Sequence, residues 1–112
     1  MTINVREVGG VTILDLDGRL SVGDDVRELE AQVKQLLAER KLKLLVNLDK
    51  VSYVDSSGVG ILVRCLTSAK AAGGDLKLVK PNKVIREIVK ATNLVKILGV
   101  FDNEEEAIAS FA

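Results

Sequence analysis

The apolar residues fall into short runs whose period changes along the chain. Ile3 to Val8 and Val11 to Leu16 read as strands, and Gly9-Gly10 between them predicts a tight turn. Gly18 to Gly23 reads as a loop. Beyond it, Val26, Leu29, Val33, Leu36 and Leu37 recur at helical spacing, with Arg27, Glu30, Lys34 and Glu39 on the other face. Asp24 or Asp25 is expected to cap this helix, with Glu28 near the capping-box position, and the helix is expected to end near Arg40-Lys41. Leu42 to Leu48 is a short apolar run of the kind a buried strand shows, and Val51 to Val54 either extends it or forms a short edge. Ile61, Leu62, Val63, Cys65, Leu66, Ala69 and Ala72 then mark a second helix, apolar on most sides and so central, ended by Gly73-Gly74.

Leu76 to Val79 reads as another strand, broken by Lys80-Pro81-Asn82, with Pro81 marking a helix start. Val84, Ile85, Ile88 and Val89 predict a third helix, and Ile97 to Phe101 a last strand. Asn103 is placed to cap a final helix. Its first turn, Glu104-Glu105-Glu106, carries the charge that a helix N-terminus favours, and Ala107, Ile108 and Phe111 form its apolar stripe. Alternation of strand and helix after the opening hairpin implies an α/β fold. The sheet is expected to be mixed and mainly parallel, with an N-terminal hairpin and about four helices, in a single domain over 1–112.

Composition narrows the chemistry. Of 112 residues 47% are hydrophobic, enough to bury a core at this size. Lys+Arg and Asp+Glu are both 16, a formal net charge of zero, which argues against nucleic-acid binding and against a polybasic membrane-surface role. There is no His, which removes Ser-His-Asp triads and the commonest metal ligand. No metal, cofactor or catalytic residue is expected. The single Cys, Cys65, sits among Leu62, Val63 and Leu66 and reads as core filler. It fits a reducing cytoplasm, and no signal peptide or membrane-spanning run is visible. Tyr53 reads equally as a core or a rim aromatic.

Asp55-Ser56-Ser57-Gly58-Val59-Gly60 lies where a strand ends and the central helix begins. The first N–H groups of a helix have no internal partner and form a local positive end that holds anions. A phosphate on Ser56 would add about −1.5 to −2 charges there at pH 7. Gly58 and Gly60 would let another protein's backbone come close. Ordinary capping also accounts for Asp, Ser and Gly at such a junction. One cap needs a single side chain, however, and here three capping-type residues stand in a row.

The run Val54-Asp55-Ser56-Ser57-Gly58-Val59-Gly60 resembles the phosphorylation segment of anti-sigma factor antagonists, the stand-alone STAS domains. The resemblance extends over most of the chain. It takes in Leu14-Asp15-Leu16-Asp17-Gly18, Leu45-Val46-Asn47-Leu48, Gly73-Gly74-Asp75-Leu76 and Phe101-Asp102-Asn103-Glu104-Glu105-Glu106-Ala107. It implies a STAS-like fold and a non-enzymatic partner switch in transcription regulation. On that pattern an anti-sigma factor serine kinase phosphorylates Ser56, the unphosphorylated form binds that kinase, and a serine/threonine phosphatase resets the switch. Asp55 is expected to shape the turn, Ser57 to cap the helix, and Gly58 to permit close approach. The binding lip is expected to comprise Asp55, Ser57, Gly58 and Val59 together with Ser21, Val22, Gly23 and Asp24. One departure from the family pattern stands out: Gly18-Arg19-Leu20 is followed by Ser21, where an acid is usual.

Two other readings fit parts of the sequence. The first is a STAS scaffold that is never phosphorylated. The second is a receiver domain that takes a phosphoryl group on aspartate, suggested by Lys80-Pro81 after a strand. A receiver should open on a single strand leading into an acidic pair, whereas this chain opens on a hairpin. A nucleotide-binding enzyme would use the Ser-Ser-Gly helix terminus as a phosphate site, but the chain has no Gly-x-x-x-x-Gly-Lys-Ser/Thr loop.

Overall fold

Gly9-Gly10 reverses the chain between two antiparallel strands, β1 (Thr2–Val8) and β2 (Val11–Leu20), paired from Thr2 opposite Asp17 to Val8 opposite Val11. The structure is a computed structural model that describes residues 1–21, 23–91 and 98–111, without the side chains of Asp24 and Asp25. Three further strands follow in parallel: β3 (Lys43–Val54), β4 (Asp75–Val79) and β5 (Gly99–Phe101). The sheet order is β1-β2-β3-β4-β5, and the helices are α1 (Asp24–Ala38), α2 (Ser56–Ala71), α3 (Lys83–Ala91) and α4 (Glu104–Ala109). The mixed, mainly parallel sheet and its opening hairpin match the expectation, and the hairpin excludes the receiver arrangement.

The two faces of the sheet are unequal. Helices α1, α2 and α3 cover one face, where Leu14, Leu16, Leu20, Leu44, Val46 and Leu48 meet Leu29, Val33, Leu62, Leu66, Ile85 and Val89. Among the described residues only α4 packs on the other face, where Ala107 closes over Val11, Ile13, Leu45 and Val79. Beside that patch the face turns polar. Arg6 on β1 donates to Asp15 (2.6 Å) and pairs with Glu104 of α4, and Asn47 Nδ2 donates to Asp15 (2.8 Å). These bonds hold both carboxyls below their ordinary values, the Arg6 hydrogen bonds being the main cause in each. Cys65 is buried core, as expected, and burial pushes its thiol up to about 12.

Several boundaries differ from the sequence reading. The expected loop from Gly18 begins only after Leu20, because β2 stays paired to the long β3, Gly18 opposite Val51 and Leu20 opposite Val54. The N-cap position of α1 is Gly23, with φ 112° and no side-chain cap, and Asp24 and Asp25 are the first two residues of the helix rather than its cap position. The helix stops at Ala38, where Arg40 turns to φ 63° and Lys41 N–H reaches back to the Leu36 carbonyl (2.9 Å). Val51 to Val54 extends β3 rather than forming a separate edge. In α3, Ile85 and Val89 are buried but Val84 is 57% exposed. Asn82 starts that helix, accepting from Ile85 N–H (2.9 Å) and donating to the Val51 carbonyl (3.3 Å). Asn103 caps α4 as expected, accepting from Glu106 N–H. Ile97, expected to open the last strand, lies outside the described residues.

Candidate functional site

The carboxyl ends of β2 and β3 set the site. Leu20 and Val54 end the two strands side by side, and Asp55 N–H donates to the Leu20 carbonyl (3.4 Å). Asp55 is the N-cap of α2: its backbone is extended and its carboxylate accepts from Gly58 N–H (2.9 Å). Asp55 therefore both shapes the turn and caps the helix, and the capping role expected of Ser57 does not arise. One carboxylate reaches the third N–H of the helix, which is what an N-cap needs.

With the cap provided by Asp55, both serines are left over. Ser56 and Ser57 occupy the first two positions of α2 and are exposed. Among the described residues neither hydroxyl makes a hydrogen bond. The first turn of α2 carries no acidic residue, so the local positive end of a 16-residue helix is balanced only by the cap. The arrangement presents a free hydroxyl at a terminus able to accept a dianion.

Gly58 and Val59 turn the other way. Val59 is buried in the main core, and a Cβ on Gly58 would collide with the Leu20 carbonyl oxygen. The close approach that Gly58 permits is thus internal: it lets α2 settle on the end of β2. These two residues hold the lip from beneath, and the exposed surface comes from Ser56, Ser57 and Gly60. At Gly60 a Cβ would meet nothing within 4 Å.

Ser21 and Gly23, both half-buried, stand at the exit of β2 on the same side as the α2 terminus. Asp24 opens α1, and Val22 lies outside the described residues. A shallow groove of about 400 Å³ joins the two helices, lined by Gly23, Val26, Ser57, Gly60, Ile61 and Arg64 among others. Arg64 pairs with Glu30 across it (2.9 Å). Sequence reasoning brought Ser57, Gly60 and Gly23 to this site but missed Arg64 as part of its wall. Its signal was the spacing from Ser57 and Gly60, which puts Arg64 on the same exposed stripe of the helix. Among the described residues, no group of three or more His, Cys, Asp or Glu is arranged to hold a metal, and no helix is long and apolar enough to cross a membrane.

Comparison with known proteins places this geometry. A Thermotoga neapolitana protein is 35% identical over 66 residues, which span 59% of this chain and 58% of that protein. The anti-sigma F factor antagonist of Paenibacillus polymyxa is 25% identical over 111 residues, covering 96% of this chain and 92% of that one. A Thermotoga maritima crystal structure superposes with a TM-score of 0.89 at 26% identity, covering 97% of this chain and 93% of that chain. The phosphorylated form of the Bacillus cell fate determinant SpoIIAA matches in fold, with a TM-score of 0.77 at 22% identity over 99% of this chain and 100% of that one. The STAS-domain family model matches residues 2–107, and the chain belongs to the STAS family.

Proposed function

We propose that this protein is an anti-sigma factor antagonist that works as a phosphorylation-controlled partner switch in the cytoplasm. Unphosphorylated, it binds an anti-sigma factor serine kinase. That kinase phosphorylates Ser56, and the phosphorylated form is released until a serine/threonine phosphatase restores it. The observation that carries the reading is the exposed, unbonded Ser56 at the acid-free start of α2, with the capping role already filled by Asp55. Family membership and the likeness to proteins named as anti-sigma factor antagonists support it.

The physics of the switch follows from that position. A phosphate on Ser56 brings about −1.5 to −2 charges to the lip without disturbing the core, because the helix terminus stabilises it locally. A partner packed against Ser57, Gly60 and the residues from Ser21 to Asp24 would then face an uncompensated dianion, with desolvation and repulsion both opposing contact. This protein needs no catalytic base, since the kinase brings its own.

Affinity capture from the host lysate tests the reading, with wild-type and Ser56→Asp baits compared by quantitative mass spectrometry. The proposal expects an ATP-binding kinase-like protein on the wild-type bait and its loss from the Asp bait. Equal retention on both would favour a STAS scaffold that phosphorylation does not control.

A further inference from the structure

A second feature of the same end of the sheet lies on the opposite side from α1 and α2. The register of β2 against β3 shifts twice, between Asp15 and Asp17 and again between Gly18 and Arg19. At the second shift Gly18 pairs with Val51 and Arg19 with Tyr53, so Ser52 is the extra residue of a bulge. Ser52 Oγ donates to the Gly18 carbonyl (3.2 Å), and Gly18 takes φ 122°, a conformation L side chains rarely adopt. The bulge decides which way the aromatic points. Strict alternation from Val51 would turn Ser52 out, Tyr53 inward and Val54 out, because a one-residue slip exchanges the faces of a strand. Instead Val51 and Val54 are both buried, and Tyr53 stands 44% exposed on the outer face.

Arg19 stands beside it. Its guanidinium lies over the Tyr53 ring at 4.7 Å, within cation–π range. Among the described residues Arg19 makes no ion pair or hydrogen bond through its side chain. Asp17, two residues earlier on β2, is the register partner of Lys50. With its carbon over the ring, the guanidinium contacts the aromatic face and still has N–H donors for a planar acceptor such as a carboxylate.

The pair is close enough to the switch for one partner to touch both. Tyr53 is three residues before Ser56, about 10 Å along an extended chain. A standard protein interface of about 800 Å² per partner has a radius of about 16 Å. Arg19 also precedes the Leu20 carbonyl that accepts from Asp55 N–H and stops Gly58 from carrying a side chain. The two exposed side chains and the serine therefore belong to one rigid unit. Stacked Tyr and Arg are also the residue types that most often dominate binding energy.

We infer that Arg19 and Tyr53 form a recognition platform that receives a carboxylate-bearing segment of the protein that covers Ser56. This rests on the partner-switch reading above. It assigns the partner a surface acid and gives the interface a contact on the outer face of the sheet, away from the α1–α2 groove.

The test immobilises the full chain as wild type, Ser56→Asp, Arg19→Glu, Arg19→Lys and Tyr53→Ala. The quantity read is the amount of each host protein retained, with melting curves to confirm folding. The protein lost from the Ser56→Asp bait should fall about tenfold or more on Arg19→Glu and on Tyr53→Ala, and less on Arg19→Lys, which keeps the charge but not the fork. Should Tyr53→Ala melt early, the Arg19 pair of variants decides alone. If that protein distinguishes wild type from Ser56→Asp but binds Arg19→Glu normally, the platform is overturned and the switch stands. If no protein distinguishes wild type from Ser56→Asp, both fall. With the retained protein purified, an acid-to-Lys change on its contact surface should restore binding to Arg19→Glu. Failure of every such change to do so would overturn the carboxylate assignment.

Discussion

The two halves of β3 are built differently. From Lys43 to Asn47 the strand lies between β2 and β4, in regular register with both, and Leu44, Leu45 and Val46 are buried on its two faces. From Leu48 to Val54 its only strand partner among the described residues is β2, and it is bulged twice. Its inward residues, Leu48, Val51 and Val54, come every third position. The first half is core. The second half carries the Arg19–Tyr53 pair and delivers the chain to Asp55 and Ser56. A strand paired on both sides has no slack, whereas one paired on a single side can absorb extra residues and re-aim its side chains.

Substitutions can sharpen this contrast. Leu44→Ala, in the regular half, should destabilise by about 2–5 kcal/mol in urea unfolding, because the side chain is fully buried among close-packed neighbours. At the other end Gly58→Ala should cost about 1–3 kcal/mol, as the Leu20 carbonyl leaves no room for a Cβ. Gly60→Ala, two residues on, meets open space and should be neutral or stabilise by up to about 1 kcal/mol. If these two glycines respond alike, the docking of α2 on β2 is not as described.

The cap offers a finer test. Asp55→Ala should lose about 1 kcal/mol through the bond to Gly58 N–H, and Ser57→Ala should stay within about 0.5 kcal/mol. The smallest effect belongs to the junction of the two halves, where Asn47 joins the Arg6–Asp15–Glu104 network. Both carboxyls have lowered pKa values when folded, so their stabilisation is present above the ordinary carboxylate range and is lost as pH falls through the folded values. Melting temperature should therefore decline on acidification below about pH 5, and Arg6→Met should flatten that decline.

The same contrast separates what was legible in the sequence from what was not. Regular periodicity announced the hairpin at Gly9-Gly10, the apolar face of α1 and the buried run of β3. It did not announce the bulges, since Leu48, Val51 and Val54 match neither a strand period of two nor a continuous helix. Gly18 to Leu20, the first half of the expected loop, belong to β2 for the same reason. Tyr53 was undecidable because its direction depends on Ser52, an unremarkable residue whose hydroxyl bonds across to Gly18. At the site, Asp55, Ser56 and Ser57 were found from their order in the chain, but their division of labour was not. Whether aspartate or serine caps depends on where the helix begins, and that is set by tertiary contact between Gly58 and Leu20. The α1–α2 groove likewise needed two helices brought together before Arg64 could be recognised as part of it.

The central claim is that Ser56 is the control point. Its most direct test is to incubate the protein with ATP and the kinase retained by the wild-type bait, then map the phosphate by peptide mass spectrometry and repeat the capture with the modified protein. The account predicts a single phosphate on Ser56, none on Ser56→Ala, and loss of kinase binding once the phosphate is in place. Phosphate on Ser57 instead, or undiminished binding by the phosphorylated form, would contradict it.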